Sequence, residues 1–229
     1  MIEFKDMEDM SVKVSFPKDF KLDIGTNVLK MPLEKIKTES FSSADIPFGR
    51  LLNDFFSDIP LVSLRGKYGF FELTRKNLRM FLFPKGESSM VNPNRKPQKL
   101  ISDRELESLN IDINYLSGSF LGVLGLSSQI MNIENAFNFK KEGIFNGNFN
   151  NKVKEDFLKK SNVEEVWGIS FKRKDRDEKL STEFTYEFER NDTDKVKVIQ
   201  RMSKTISPFD LTLIIDRTLK DINKELSEW

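Results

Sequence analysis

Apolar residues recur most regularly at the C-terminal end of the chain, where Leu211, Ile215, Leu219, Ile222 and Leu226 fall at helical spacing. Steps of three and four place all five on one stripe of an α-helix. Ser207-Pro208-Phe209-Asp210 opens it with an N-cap, a proline at the first helical position and an acid at the third. The pattern predicts a helix over about 208–227. Upstream the period changes from helical to two. Trp167, Ile169 and Phe171 alternate with small or polar residues up to a charged turn at Lys174-Asp175-Arg176-Asp177-Glu178. Leu180, Thr182, Phe184, Tyr186 and Phe188 then oppose Ser181, Glu183, Thr185, Glu187 and Glu189. After Asn191-Asp192-Thr193-Asp194, a third run carries Val196, Val198 and Met202. Such alternation predicts an antiparallel meander over about 165–203 with one wet face, its apolar face covered by the C-terminal helix.

The N-terminal half repeats this pattern less regularly. Val12, Val14 and Phe16 alternate, and after Pro17 so do Phe20, Leu22 and Ile24, which predicts a hairpin. A short helix is expected over Pro47–Phe56, with Asp45 as its cap. Strands follow near Tyr68–Thr74 and Leu78–Phe83, joined by Arg75-Lys76-Asn77, and then a loop from Pro84 to Lys99 rich in Pro, Asn and Lys. Ser102-Asp103-Arg104-Glu105 is a capping box for a brief helix. In the middle of the chain Ile111, Ile113 and Tyr115 alternate as in a strand, and Ser128 is read as opening a helix to about Asn135. Phe137/Phe139 and Phe145/Phe149 flank a turn at Glu142-Gly143, and Asn151 caps a helix through Lys160.

The fold class is therefore α+β: an antiparallel meander packed against a long C-terminal helix, with a less regular N-terminal β/α half sharing the core. The expected division is a β-rich subdomain over 1–101 and an α+β subdomain over 102–229, or one continuous domain. Strands, loop and helix occur twice, which invites an internal-duplication reading. Its only direct echo is Ile101-Ser102 with Leu106 against Ile206-Ser207 with Leu211.

Composition narrows the chemistry. The chain has 229 residues with no histidine and no cysteine. A Ser-His-Asp triad, a thiol nucleophile, a thiolate or imidazole zinc site and an iron–sulfur cluster are all excluded. No Walker or dinucleotide-binding glycine pattern occurs, and Gly118, Gly122 and Gly125 have the wrong spacing for either. Carboxylate–Mg²⁺ chemistry survives as a class. Its candidates are Glu3-Phe4-Lys5, Asp112 read as mid-strand, and the sheet face bearing Glu183, Glu187 and Glu189, which reads better as a solvated face. The acidic start MIEFKDMEDM lacks the form of a signal peptide. The most apolar window, Leu116–Leu126, is well short of the roughly 20 residues that cross a bilayer. A cytoplasmic protein with no membrane contact and no cofactor is expected.

Charge changes the picture locally. The totals nearly cancel, 37 basic against 36 acidic residues. Between Leu61 and Ile101, however, Arg65, Lys67, Arg75, Lys76, Arg79, Lys85, Arg95, Lys96 and Lys99 face only Glu72 and Glu87, so the window carries 9 − 2 = +7. Tyr68, Phe70, Phe71, Phe81 and Phe83 lie within it. Cations interleaved with aromatics on a sheet suit a single-stranded nucleic-acid platform. Arg65-Gly66-Lys67-Tyr68-Gly69-Phe70-Phe71 resembles the RNP1 strand of RNA-recognition and cold-shock domains, with Lys67 as an extra residue and no partner RNP2 strand. The resemblance covers seven residues and implies one base-stacking strand. Phe70 and Phe71 point to opposite faces, so only one of them is available to a ligand.

The expected function is non-enzymatic. A basic strand–loop surface over about 65–99 contacts a larger protein or a nucleoprotein complex, with a second copy of the chain as a further possible partner. The candidate contact residues are Arg65, Lys67, Tyr68, Phe70, Arg75, Lys76, Lys85, Arg95, Lys96 and Lys99. Direct binding of single-stranded nucleic acid is the alternative, and a carboxylate-metal phosphoesterase or nuclease the third reading.

Overall fold

The computed structural model describes residues 1–20, 40–45, 60–86, 99–143, 168–174, 180–188, 193–205 and 210–228. A short 3-10 turn (Phe4–Asp6) leads into β1 (Met7–Ser15). Then come β2 (Phe41–Asp45), β3 (Val62–Gly66), β4 (Gly69–Leu73), β5 (Asn77–Leu82) and helix α1 (Asp103–Val123). The second half holds β6 (Ile130–Glu142), β7 (Gly168–Lys174), β8 (Leu180–Phe188), β9 (Thr193–Thr205) and helix α2 (Leu211–Glu228).

All nine strands form one antiparallel sheet in the order β2-β3-β4-β5-β1-β6-β9-β8-β7. The inward positions alternate as the sequence predicts. Val12 and Val14 of β1, Leu78, Met80 and Leu82 of β5, Phe184 and Tyr186 of β8, and Val196 and Val198 of β9 are buried on one face. Both helices cover that face. Phe120 of α1 meets Phe71 of β4 at 5.4 Å between ring centroids, and the Ser117 hydroxyl lies 3.8 Å from the Met80 sulfur of β5. In α2, Leu211, Ile215 and Ile222 are buried, and the Leu211 amide donates to Asn110 Oδ1 of α1 at 2.9 Å. The predicted meander with its covering helix is thus present, and the fold is α+β.

The strand order reads outward from a centre. In the first half β3, β4 and β5 form a meander that closes back on β1, and α1 follows. In the second half β7, β8 and β9 close back on β6, and α2 follows. The first strands of the two halves, β1 and β6, pair at the middle of the sheet. Ser102 caps the first of the two helices, whereas Asp210 caps the second, its Oδ1 accepting from the Leu213 amide at 3.0 Å, and Ser207 of the sequence echo lies outside the described residues. Among the described residues the halves share this order apart from β2, which extends the first half at the sheet edge beside β3.

The middle of the chain differs from expectation. Residues 111–115 are not a strand but the third and fourth turns of helix α1. Leu106, Leu109, Ile113, Leu116 and Phe120 form its buried stripe, whereas Ile111 and Tyr115 point outward and remain about 60% exposed. The outward apolar pair produced a false alternation. Ser102 does cap this helix: Glu105 Oε2 accepts from the Ser102 amide at 2.9 Å. The helix ends at Gly125, whose φ of 68° is open to glycine, with the Leu126 amide donating back to Leu121 O at 2.8 Å. Residues 130–142, read as partly helical, form the long central strand β6. Its inward series Met131, Ile133, Asn135, Phe137 and Phe139 has strict period two. The turn expected at Glu142-Gly143 is present, with Gly143 at φ 62°. The expected elements at 22–24, 47–56 and 145–160 lie outside the described residues. Among the described residues no helix is long and apolar enough to cross a membrane.

Candidate functional site: the open face of the sheet

With α1 and α2 on one side, the opposite side of the sheet carries no helix among the described residues, and the strand registers fix which residues stand together there. One row runs Arg65–Phe70–Phe81–Ser11–Ala136–Ile199–Glu183–Lys172 across β3, β4, β5, β1, β6, β9, β8 and β7. The adjacent row runs Glu72–Arg79–Lys13–Glu134–Arg201. Phe70 and Phe81 stack with centroids 4.2 Å apart, and the Arg65 guanidinium carbon lies 5.9 Å from the Phe70 ring centre. Phe83 extends the cluster at 5.7 Å from Phe70. Next to these rings the row continues through the small side chains Ser11 and Ala136. An aromatic cluster is unusual on the wet face of an antiparallel sheet, where polar residues are the rule.

Opposite charges sit across from one another. Arg201 donates to Glu134 at 2.7 Å and to Glu183 at 2.8 Å, which pulls the Glu183 carboxyl below its ordinary range and raises Arg201. Partial burial pushes Glu72 upward, opposed by Arg79 and Arg65. A depression of about 360 Å³ opens on this face, lined among others by Lys13, Ser15, Asn132, Arg201 and Ser203, with the Ser203 hydroxyl donating to Asn132 Oδ1 at 2.6 Å.

The predicted contact residues do not form one patch. Arg65 and Phe70 are cross-strand neighbours on the open face. The seven-residue motif that contains them is not one strand, because Gly66 ends β3 and Gly69 begins β4. The resemblance to an RNP1 strand therefore does not extend to its geometry: a hairpin turn passes through its middle. Tyr68 is buried at the sheet end, its hydroxyl 3.4 Å from both Lys99 O and Glu105 Oε2, and it is not available to stack a base. Lys67 lies 4.3 Å over the Tyr68 ring and 3.3 Å from Glu105, and these two contacts, Tyr68 first, raise its pKa. Glu105 itself is held at about 2, first by the Ser102 amide and hydroxyl and then by Lys67. Lys85 follows β5 at this same end of the sheet, in the turn closed by Gly86 N to Phe83 O. Arg75 and Lys76 occupy the β4–β5 turn at the opposite end. Arg95 and Lys96 lie outside the described residues. Phe71, as the alternation requires, is buried, and Phe70 on the opposite face is half-buried.

Several open-face residues escaped the sequence reading, among them Lys13, Ala136, Ile199 and Arg201. The alternation of each strand places each one outward. Which strands are neighbours depends on the closure of β5 and β9 onto β1 and β6, and nothing local signals that. The carboxylate candidates separate. Glu3 pairs with Lys5 at 2.6 Å in the 3-10 turn, and Asp112, on a helix, accepts from the Ser40 amide at 2.8 Å. Glu183 is engaged by Arg201, and Glu189 is outside the described residues. Among the described residues no three acids converge in a geometry that holds a metal ion.

No family model matches this chain, and no curated protein matches it.

Proposed function

We propose that this is a non-enzymatic binding protein that uses the open face of its sheet, centred on Arg65, Phe70 and Phe81, to hold a larger protein partner. The observation that carries the reading is the stacked Phe70–Phe81 pair on the side of the sheet opposite α1 and α2. Aromatic and arginine side chains are the residues most often found at the energetic centres of protein interfaces. The surrounding charges alternate in sign and pair with one another, as in Arg201 with Glu134 and Glu183. Such a mosaic suits a surface of mixed charge better than a run of phosphates. The contact surface expected over 65–99 is thereby narrowed to its open-face members.

One observation favours the second reading, single-stranded nucleic acid. Arg65, Arg79 and Lys13 flank the half-buried rings of Phe70 and Phe81 in two adjacent rows, and cations beside stackable rings are what such strands require. Two measurements separate the readings. The tagged protein and an Arg65→Glu/Phe70→Ser variant are used for affinity capture from their native cells, and the captured partner is then purified and titrated. The interface predicts a specific partner lost by that variant and kept by Lys76→Glu, at the far end of the sheet. Retention by the open-face variant would move the interface elsewhere. Labelled oligo-dT and oligo-U are titrated across a salt series, where phosphate contact gives affinity falling steeply with salt. Absence of binding at low salt removes the nucleic-acid reading.

A further inference from the structure

The open face sets like charges directly opposite one another in two places, and each time both are cations. Arg79 of β5 stands across from Lys13 of β1, and Lys140 of β6 across from Lys195 of β9. In none of the described strand registers does an acid oppose an acid. Like charges facing each other across a ladder weaken it, and an anion placed between them removes the repulsion. Around Phe70 and Phe81 the imbalance is local. Arg65, Arg79 and Lys13 stand there with Glu72 as the acid among them, and Glu72 attracts both arginines. On the other side of Lys13, Glu134 is held by Arg201 at 2.7 Å. Lys13 itself makes no ion pair among the described residues. The depression of about 360 Å³ opens beside it, with Ser15, Asn132 and Ser203 in its lining.

We propose that the protein partner meets this face with an acidic segment. An apolar side chain of that segment lies against the Phe70–Phe81 pair, and carboxylates on either side of it meet Arg65 and the Arg79–Lys13 pair. The inference rests on the open face being the interface, and charge complementarity carries it. An arriving carboxylate relieves the repulsion between Arg79 and Lys13, whereas an arriving cation adds to it. Guanidinium groups also take carboxylates through two parallel hydrogen bonds. The spacing suits an extended segment. Arg65 and Arg79 lie on β3 and β5, two strand spacings or roughly 10 Å apart, which about three extended residues span. Glu72 and Glu134 interrupt the cations, so the attraction falls at separate side chains and not along a continuous line of phosphates.

Two synthetic peptides test this by NMR titration of the full chain. One carries glutamates around a central leucine, and the other carries lysines around the same leucine. The glutamate peptide is expected to bind and to shift the amide resonances of Phe70, Phe81 and Lys13. The lysine peptide should bind at least roughly tenfold more weakly. Lys13→Glu should weaken the glutamate peptide about fivefold, and the milder Lys13→Gln should weaken it less, which keeps the test available where charge reversal disturbs the fold. Glu72→Gln releases Arg65 and Arg79 and should tighten it about twofold to threefold. Equal binding of the two peptides, preference for the lysine peptide, or no binding of either would overturn the proposal. Binding that is lost in Phe70→Ser but indifferent to Lys13→Glu and Glu72→Gln would keep the open face as the interface and remove only its acidic partner. Shifts confined to residues away from the open face would remove both. Displacement of the bound glutamate peptide by oligo-dT at concentrations below the peptide's own would assign these cations to phosphates and overturn the proposal as well.

Discussion

Phe70 and Phe81 are directly paired residues of β4 and β5, and their rings overlap with planes 23° from parallel on the side of the sheet away from both helices. The pairing has two consequences. It stiffens the first meander, and it presents a broad apolar edge beside Arg65. A double-mutant cycle separates the first effect from the second. Phe70→Ala, Phe81→Ala and the double variant, compared by denaturant unfolding, should give a coupling of about 0.5–1.5 kcal/mol, the range for aromatic pairs. A coupling near zero would mean that the rings are packed by their separate surroundings and that their contact contributes nothing.

Gly69 should resist substitution for a reason of backbone geometry. A Cβ at this position would run into the carbonyl oxygen of Phe81, which belongs to the β4–β5 ladder and cannot move without breaking it. Gly66 meets the same obstacle in the carbonyl oxygen of Ser40. Gly69→Ala is therefore expected to cost about 1–3 kcal/mol, as over-filling a packed site does. Thermal unfolding monitored by circular dichroism measures it, and an unchanged midpoint would contradict the close approach.

Gly118 is the opposite case. It lies in the third quarter of α1, solvent-exposed, and a Cβ built there meets nothing within 4 Å. Glycine in a helix interior is worth about 0.5–1 kcal/mol less than alanine. Gly118→Ala should recover that amount and raise the midpoint of unfolding by roughly 2–4 °C. A lower midpoint would show that the glycine serves a contact made outside the chain.

That glycine also explains why α1 was hard to read from sequence while α2 was not. In α2 the outward positions are charged or polar apart from Leu213, so the buried stripe stands out. In α1 the outward positions include Ile111, Tyr115, Gly118, Gly122 and Val123, and the contrast between faces fades. The strand β6 was obscured by one residue, Asn135, which breaks an otherwise apolar inward series. The meander β7–β9 was legible because its alternation is local and its turns are strongly polar. The open face was legible only strand by strand. Arg65 and Phe70 are close in sequence and were found, whereas Lys13 and Arg201 come together through β6, which pairs with β1 on one side and β9 on the other. Long-range register is a property of the whole sheet, and no window of the sequence contains it.

Asp9 makes the stability of the protein depend on pH in a direction that can be worked out. It stands at the bulge of β1 and accepts from Asn138 Nδ2 at 2.7 Å. Burial raises its pKa above the ordinary value of 3.8, Asn138 and Lys197 opposing the shift and Glu8 adding to it. A carboxyl whose pKa is higher folded than unfolded binds its proton more tightly in the native state. The buried charge then costs stability at every pH above the folded pKa, and the cost disappears as pH falls through that value and below 3.8. Asp9→Asn keeps an acceptor for Asn138 and removes the charge. The variant should be more stable than the parent at pH 7, by less than about 1 kcal/mol because solvent screens a site that is only partly buried. Its advantage should shrink steadily under acid. Unfolding midpoints of both proteins, measured from neutral pH down to about 3, give the test. A difference that stays constant across that range, or grows as pH falls, would show that Asp9 is ionised at no cost and that Asn138 and Lys197 outweigh its burial.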